Sequence, residues 1–259
     1  MLISSARNPR VKFWSSLKSR AGRKKEGLFL VEGARELERA LAAGLRPREW
    51  LVWPDRLSRA EAGLMEIQPA QSYELSEAAF KKVSYRQNPP GLIGVFDVPE
   101  RGPEILPPEP RRVLVAVEIE KPGNLGAMLR SADASGTDAV LVVGDGVDPE
   151  NPNVIRASTG TVFSLPLAVL DHDGALAWLR ERGLRLAAAA PAAPVVYWEA
   201  DMTGPTAVII GAEDHGLPPV WLEAADLAVR IPMKGVADSL NASVSAALLL
   251  YEALRQQST

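Results

Sequence analysis

The sequence predicts an α/β protein of two domains, the second built on a parallel sheet. Three observations predict it. Short apolar runs alternate with stretches of helical periodicity along the chain, the pattern of strand–helix units. Residues 113–117, Val-Leu-Val-Ala-Val, are continuously apolar, as in a strand covered on both faces. Between them lies a stretch holding Pro99, Pro103, Pro107, Pro108 and Pro110. Proline removes backbone donors and stiffens the chain, so residues 98–110 read as a linker between domains at 1–97 and 111–259.

Taken in order, residues 8–20 form a helix with Val11, Trp14 and Leu17 on one face. Residues 28–31 form a buried strand. A helix over 32–43 places Leu37, Ala40 and Leu41 on one side and ends at Gly44. Trp50 to Trp53 is a strand stopped by Pro54, 72–75 another, followed by a Ser76-capped helix through Val83 and a strand over 92–96. In the second half, strands fall at 113–117, 139–143, 184–190 and 207–210. Helices fall at 125–134, 151–158 and 175–182. The clearest helix spans 240–254, with Leu240, Val244, Ala247, Leu248, Tyr251 and Leu254 on one apolar face.

The bulk composition bounds the function. The 259 residues are 47% hydrophobic, enough for a sizeable core, and the net charge is -3. With no cysteine and only two histidines, His172 and His215, neither disulfides nor a Cys- or His-rich metal site is expected. No apolar run approaches the ~18–20 residues of a membrane span. The N-terminus lacks the apolar core of a signal peptide, so a cytoplasmic protein is expected. Against the acidic total, residues 1–25 carry Arg7, Arg10, Lys12, Lys18, Arg20, Arg23, Lys24 and Lys25 and no acidic residue. Clustered cations of this kind are either a solvated basic helix or a phosphate-backbone contact surface; Arg7, Arg10, Lys12, Arg20, Arg23, Lys24 and Lys25 are the candidates for nucleic-acid contact.

Three segments place glycine, asparagine, serine or a single charge where an apolar strand gives way to a turn or helix, the edge at which open α/β sheets bind ligands. The first, residues 120–130, reads Glu-Lys-Pro-Gly-Asn-Leu-Gly-Ala-Met-Leu-Arg. Its helix N-terminus offers free N–H groups to an anion, and Asn124 is a candidate N-cap. Arg130 follows an apolar stretch, which suggests partial burial and hence an anionic partner, either Asp133 or a substrate phosphate. The second segment, residues 208–217, runs from a strand into Gly211-Ala-Glu213 and on through His215. Glu213 would anchor the loop or orient Arg130, and His215 is a weaker candidate for a general base. In the third, residues 231–243, Pro232 and Gly235 constrain an apolar loop suited to a flat ligand such as adenine, with Ser239 as the expected cap of the last helix and Asn241 in its first turn.

Together these segments resemble the SpoU/TrmH family of S-adenosylmethionine-dependent RNA ribose 2′-O-methyltransferases. Asn124 and Arg130 match the family's first motif, Gly211-Ala-Glu213 with Gly216-Leu217 the second, and Ile231-Pro-Met233 with Ser239-Leu-Asn241 the third, in order across roughly residues 113–256. Less specifically, residues 31–35 and 88–92 are similar to the L30e-like substrate-binding domain found in this family. The resemblance implies a parallel sheet with a C-terminal trefoil knot. S-adenosylmethionine would be held by Gly211, Ile231, Met233 and Leu240, and the protein would be a homodimer. It also implies catalytic or positioning roles for Arg130, Asn124, Glu213, Ser239 and Asn241. Arginine keeps its proton, so Arg130 is read as a clamp for phosphate and developing alkoxide rather than a base. The expected substrate is structured RNA, 23S ribosomal RNA before tRNA. The alternatives are a non-enzymatic RNA-binding protein, and an oxidoreductase supported only by Gly144-Asp-Gly146, which lacks the third glycine of a dinucleotide fingerprint.

Overall fold

The computed structural model describes residues 2–68 and 70–258. The chain divides into two compact units, Met1–Glu100 with Asp148–Ser164, and Arg101–Val147 with Leu165–Thr259. No helix among the described residues is long and apolar enough to cross a membrane.

The first unit begins with β1 (Leu2–Ile3), α1 (Pro9–Ser16), α2 (Arg20–Glu26), β2 (Leu28–Glu32) and α3 (Ala34–Ala42). It continues with β3 (Pro47–Val52), α4 (Arg59–Ile67), β4 (Gln71–Leu75), α5 (Glu77–Val83) and β5 (Leu92–Asp97). The strands form a mixed sheet in the order β1-β4-β3-β5-β2, with β5 antiparallel to both neighbours. Val11, Trp14 and Leu17 are buried, as their spacing predicts, and pack with Leu30, Leu51 and Phe80. The helix expected over 8–20 is two helices. The Ser19 side chain accepts from the Gly22 N–H at 3.1 Å and so caps a new helix three residues after α1 ends. The helix α4 has no counterpart in the sequence reading, although Ser58 and Glu61 close a capping box, with Glu61 Oε2 2.9 Å from the Ser58 N–H.

The basic cluster runs from Arg7 through α1 and α2, and the fold divides its charges. Arg7, Lys12, Arg20, Lys24 and Lys25 are exposed. Arg10 is half-exposed, its guanidinium 4.5 Å from the Tyr73 ring centroid. Arg23, expected to contact RNA, is 3% exposed. It donates to both carboxylate oxygens of Asp148 at 3.0 and 2.7 Å and to the carbonyls of Leu17 and Lys18. A guanidinium committed to four internal acceptors belongs to the fold and not to a basic surface.

In the remaining chain the elements are β6 (Arg112–Val117), α6 (Pro122–Ala134), β7 (Ala139–Val143), α7 (Pro152–Ala157), β8 (Leu167–Leu170) and α8 (His172–Glu181). After them come β9 (Arg185–Ala189), β10 (Val195–Val196), β11 (Thr206–Ile210), α9 (Pro219–Ala224), β12 (Leu227–Arg230) and α10 (Ala242–Gln257). Seven strands form one sheet in the order β10-β12-β9-β11-β6-β7-β8, and every pairing is parallel. Every residue of β6, β7 and β11 is buried, which is why these strands read as unbroken apolar runs. Helix α7 lies in the segment Asp148–Ser164 and packs with the first unit: Phe163 stacks near Phe29, and Arg39 Nη1 donates to the Thr159 carbonyl at 2.7 Å.

The last helix packs by a different face from the apolar one that the sequence marks. Its buried face is Ala242, Ala246, Leu249, Leu250 and Ala253, packed against α6. The face read from the sequence as its apolar side is the outer one, with Val244 and Tyr251 45% and 48% exposed. Alanine and leucine occupy both sides of α10, so periodicity alone does not say which side meets the sheet.

The first unit also buries charge. Glu32, at the end of β2, is 1% exposed, and Arg86 lies beside it with its backbone N–H 3.2 Å from Oε1. The other oxygen, Oε2, has no hydrogen-bond partner among the described residues. Burial pushes the Glu32 carboxyl up to about 7, against the pull of Ser84 and Arg86. A folded pKa above the unfolded one contributes stability below the unfolded value and loses it as pH rises through about 7. Glu32→Gln is therefore expected to flatten the fall in melting temperature between pH 5 and 8 and to stabilise the protein at pH 8 by roughly 2–3 kcal/mol at most. Thermal unfolding of both proteins at the two pH values measures this, and parallel curves would refute it.

Candidate active site

Strands β6 and β11 are neighbours in register, with Ile210 beside Ala116, so the residues after Val117 and after Ile210 leave the sheet together. The meeting point is Glu213. Its Oε2 is paired with Lys121 Nζ, and its Oε1 accepts from Asn241 Nδ2. The same Asn241 amide nitrogen donates to Asn124 Oδ1 at 3.0 Å. One carboxylate thus joins the three segments singled out in the sequence. The hydrogen bond from Lys121 holds the Glu213 carboxyl below its ordinary range, and Glu213 in turn raises Lys121. Lys121 was not among the residues expected at the site. Its position three residues before Asn124 was the available signal.

Two caps differ from expectation. Helix α6 starts at Pro122, whose missing N–H and fixed φ suit a first helical position, so Lys121 stands at the N-cap and Asn124 lies inside the first turn. That frees the Asn124 side chain to face Asn241. At α10 the cap is Asn241 and not Ser239: Asn241 Oδ1 accepts from the Ser243 N–H at 3.0 Å and from the Ser243 hydroxyl at 2.6 Å. Asn241 therefore uses its oxygen to start the helix and its nitrogen to hold Asn124 and Glu213. Ser239 lies two residues earlier in an exposed loop, 3.3 Å from Asp238 Oδ1.

Arg130 is exposed on α6, not partly buried, and contributes no bond to the net of Asn124, Glu213 and Asn241 among the described residues. Six residues beyond Asn124, it lies ~9 Å further along the helix axis.

Beside the net opens a cavity of about 670 Å³, within the range of small-molecule sites. Gly211, Ile231, Met233 and Leu240, the four residues expected to hold a cofactor, all line it. Gly211 is required by a close approach: a Cβ there would meet the Gly216 carbonyl oxygen at 2.3 Å and push open the turn that forms the wall. A smaller cavity of about 110 Å³, lined by Lys121, Asn124 and Glu213, shares Ala212, Glu213 and Asp214 with the first. One space can take a nucleoside-sized ligand, and the adjoining one presents the Lys121 cation and the Asn124 amide to a hydroxyl or phosphate.

Residues 111–251 match the SpoU rRNA Methylase family, and residues 8–94 match the MRM3-like substrate binding domain. The 23S rRNA (guanosine(2553)-2′-O)-methyltransferase RlmP of Bacillus subtilis is 35% identical over 252 residues, covering 96% of this chain and 97% of that protein. A solved RNA 2′-O ribose methyltransferase is 51% identical and superimposes with a TM-score of 0.88 over 100% of both chains. The SpoU methyltransferase AviRb of Streptomyces viridochromogenes, solved in complex with AdoMet, is 30% identical with a TM-score of 0.91, covering 98% of this chain and 99% of that one.

Proposed function

This chain belongs to the SpoU rRNA methylase family, and we propose that it is an S-adenosylmethionine-dependent methyltransferase acting on a ribose 2′-hydroxyl of 23S ribosomal RNA. The observation that carries the reading is the shared wall: Glu213 belongs both to the 670 Å³ cavity and to the polar net with Asn124 and Asn241. A small ligand and a polynucleotide hydroxyl can therefore be brought side by side.

The lining suits the cofactor. Met233 and Ile231 offer apolar surface to a base, and the tight Gly211 turn brings backbone groups to the cavity wall. Gly211, Ile231, Met233 and Leu240 would hold it. When bound, S-adenosylmethionine supplies an electrophilic methyl group. The protein's part is to place the nucleophile and the charge around it. Asn124 presents its amide group to the ribose, held in place by Asn241, which Glu213 in turn orients. Lys121, held charged by Glu213, and Arg130, free in solvent, stabilise the phosphate and the oxyanion that develops as the hydroxyl loses its proton. Ser239, in the exposed loop beside Leu240, completes the rim facing the RNA. The exposed cations Arg7, Lys12, Arg20, Lys24 and Lys25 of the first unit would hold the RNA backbone, with the half-exposed Arg10 beside them.

Two architectural readings accompany this one. After β12 the chain returns from one flank of the sheet to lay α10 against α6, the route that a C-terminal trefoil knot would take, and the mixed sheet of the first unit suits an L30e-like module. The outer face of α10, where Tyr251, Leu248 and Ala247 adjoin Tyr197, is the apolar surface on which a second copy would make a homodimer.

Transfer of labelled methyl from S-adenosylmethionine to RNA of a strain lacking this protein is expected to mark 23S RNA at one alkali-resistant linkage; label in the tRNA fraction alone would replace the substrate assigned here. In the same assay Arg130→Ala is expected to lose on the order of 10²–10³-fold in rate, the scale of one preorganised electrostatic contact. Lys24→Ala combined with Lys25→Ala should lower RNA affinity and reduce the slope of log affinity against log salt by about 2, read by filter binding across a salt series. Tyr251→Asp should shift the mass measured by light scattering from two chains to one.

A further inference from the structure

The chain has two histidines, and one carboxylate bridges them. Glu118, the residue after β6, lies 3.2 Å from His172 Nε2 through Oε1 and 3.2 Å from His215 Nε2 through Oε2. Its backbone is left-handed, φ 50°, which is uncommon for a residue with a side chain, and its N–H is held by the Val143 carbonyl at 2.8 Å. Gly144 next to it has no side chain, and a Cβ there would meet Glu118 Cγ at 2.8 Å and His172 Nε2 at 3.1 Å. The local backbone is shaped to let this carboxylate reach His172.

The far end of the bridge is anchored in the core. Trp221, fully buried, donates its indole N–H to His172 Nδ1 at 2.9 Å. Indole is a donor only, so Nδ1 accepts, and the His172 hydrogen sits on Nε2 and points at Glu118. The near end is exposed. His215 sits in the turn after Gly211, and its Nδ1 lies 2.7 Å from Asp214 Oδ1. Both of its ring nitrogens therefore face carboxylate oxygens, an arrangement that only the doubly protonated imidazolium satisfies in full. The groups around it are Glu118 from the end of β6, Asp214 in its own turn, His172 across Glu118, and the adjoining Lys121–Glu213 pair.

We propose that Glu118 is a positioning residue: through protonated His215 it clamps the 211–216 turn in the conformation that walls the cofactor cavity, so that S-adenosylmethionine binding is coupled to the charge on His215. Asp214, His215 and Gly216 all line that cavity. Glu118 and Asp214 raise His215 above its ordinary pKa, the Glu118 hydrogen bond contributing most. The clamp is accordingly complete at low pH and is lost as pH rises through that raised value. A neutral imidazole keeps one N–H and can satisfy only one of the two carboxylates. This inference rests on the assignment of the cavity to S-adenosylmethionine.

Calorimetric titration of S-adenosylmethionine into the full chain at pH 6 and pH 9 tests it, with His215→Arg and Glu118→Gln as variants. Arginine keeps its charge throughout that range. The ratio of Kd at pH 9 to Kd at pH 6 should fall about fivefold or more from wild type to His215→Arg, the lower end of couplings between sites. Glu118→Gln should bind at both pH values as weakly as wild type does at pH 9, and its His215 ring signals should titrate at lower pH by NMR. An equal ratio in wild type and His215→Arg overturns the clamp, even if Glu118→Gln does not fold. Absence of binding by wild type at both pH values would instead overturn the cofactor assignment itself, and the clamp with it.

Discussion

The parallel, in-register pairing of β6 with β11 is the constraint on which the site depends. Parallel strands need long crossovers, so the two segments are separated by nearly ninety residues of chain, from Val117 to Thr206, and yet end at the same edge. Once their registers are set by buried valine, alanine and isoleucine, the residues that follow have little choice of neighbour. Lys121 meets Glu213, and Glu118 meets His215. Two ion pairs between the same two loops are thus a product of strand packing and not of local sequence. The third segment is brought in by α10, whose buried face of three alanines and two leucines packs on α6 and delivers Asn241 to the other two.

How much of this was legible in the sequence follows from the same physics. Strands buried on both faces were plain, because nothing but apolar residues can fill them. The shorter strands β8, β10 and β12 were not, since two to four residues at a sheet flank carry too little pattern. Asn124, Glu213 and Asn241 stood out in the sequence and come together, but Lys121 did not stand out and the capping roles were misplaced. Asparagine, serine and proline near a helix start all suit capping, and only the three-dimensional partners decide that Asn241 caps while Asn124 faces it. Arg130 follows an apolar stretch and yet is exposed, because α6 buries Leu125, Met128, Leu129 and Ala132 on the opposite side. The capping box of α4 was readable, from Ser58 and Glu61, and was passed over.

Charge shows a second limit of one-dimensional reading. Eight cations in 25 residues look like one surface, but Arg23 turns inward to meet Asp148, which is 125 residues away in sequence. Conversely Glu32 looks like the first residue of a helix and is in fact the buried end of a strand, with one oxygen unpartnered. In both places the sign of the residue was plain and its solvent exposure was not, and exposure decides whether a charge can serve a ligand or must serve the fold.

The excursion of residues 148–164 has a consequence for modularity. The chain passes between its two units three times, at 100–101, 147–148 and 164–165, and the excursion brings Val154, Ile155 and Val162 into the first unit with no measurable exposure. The first hundred residues are therefore not a detachable cassette. A recombination event that exchanged them for another domain would also need a new surface to receive α7, or it would leave an apolar stub and a carboxylate at Asp148 without its arginine. Inheritance of the two halves is tied together by a segment that belongs to one half by sequence and to the other by contact.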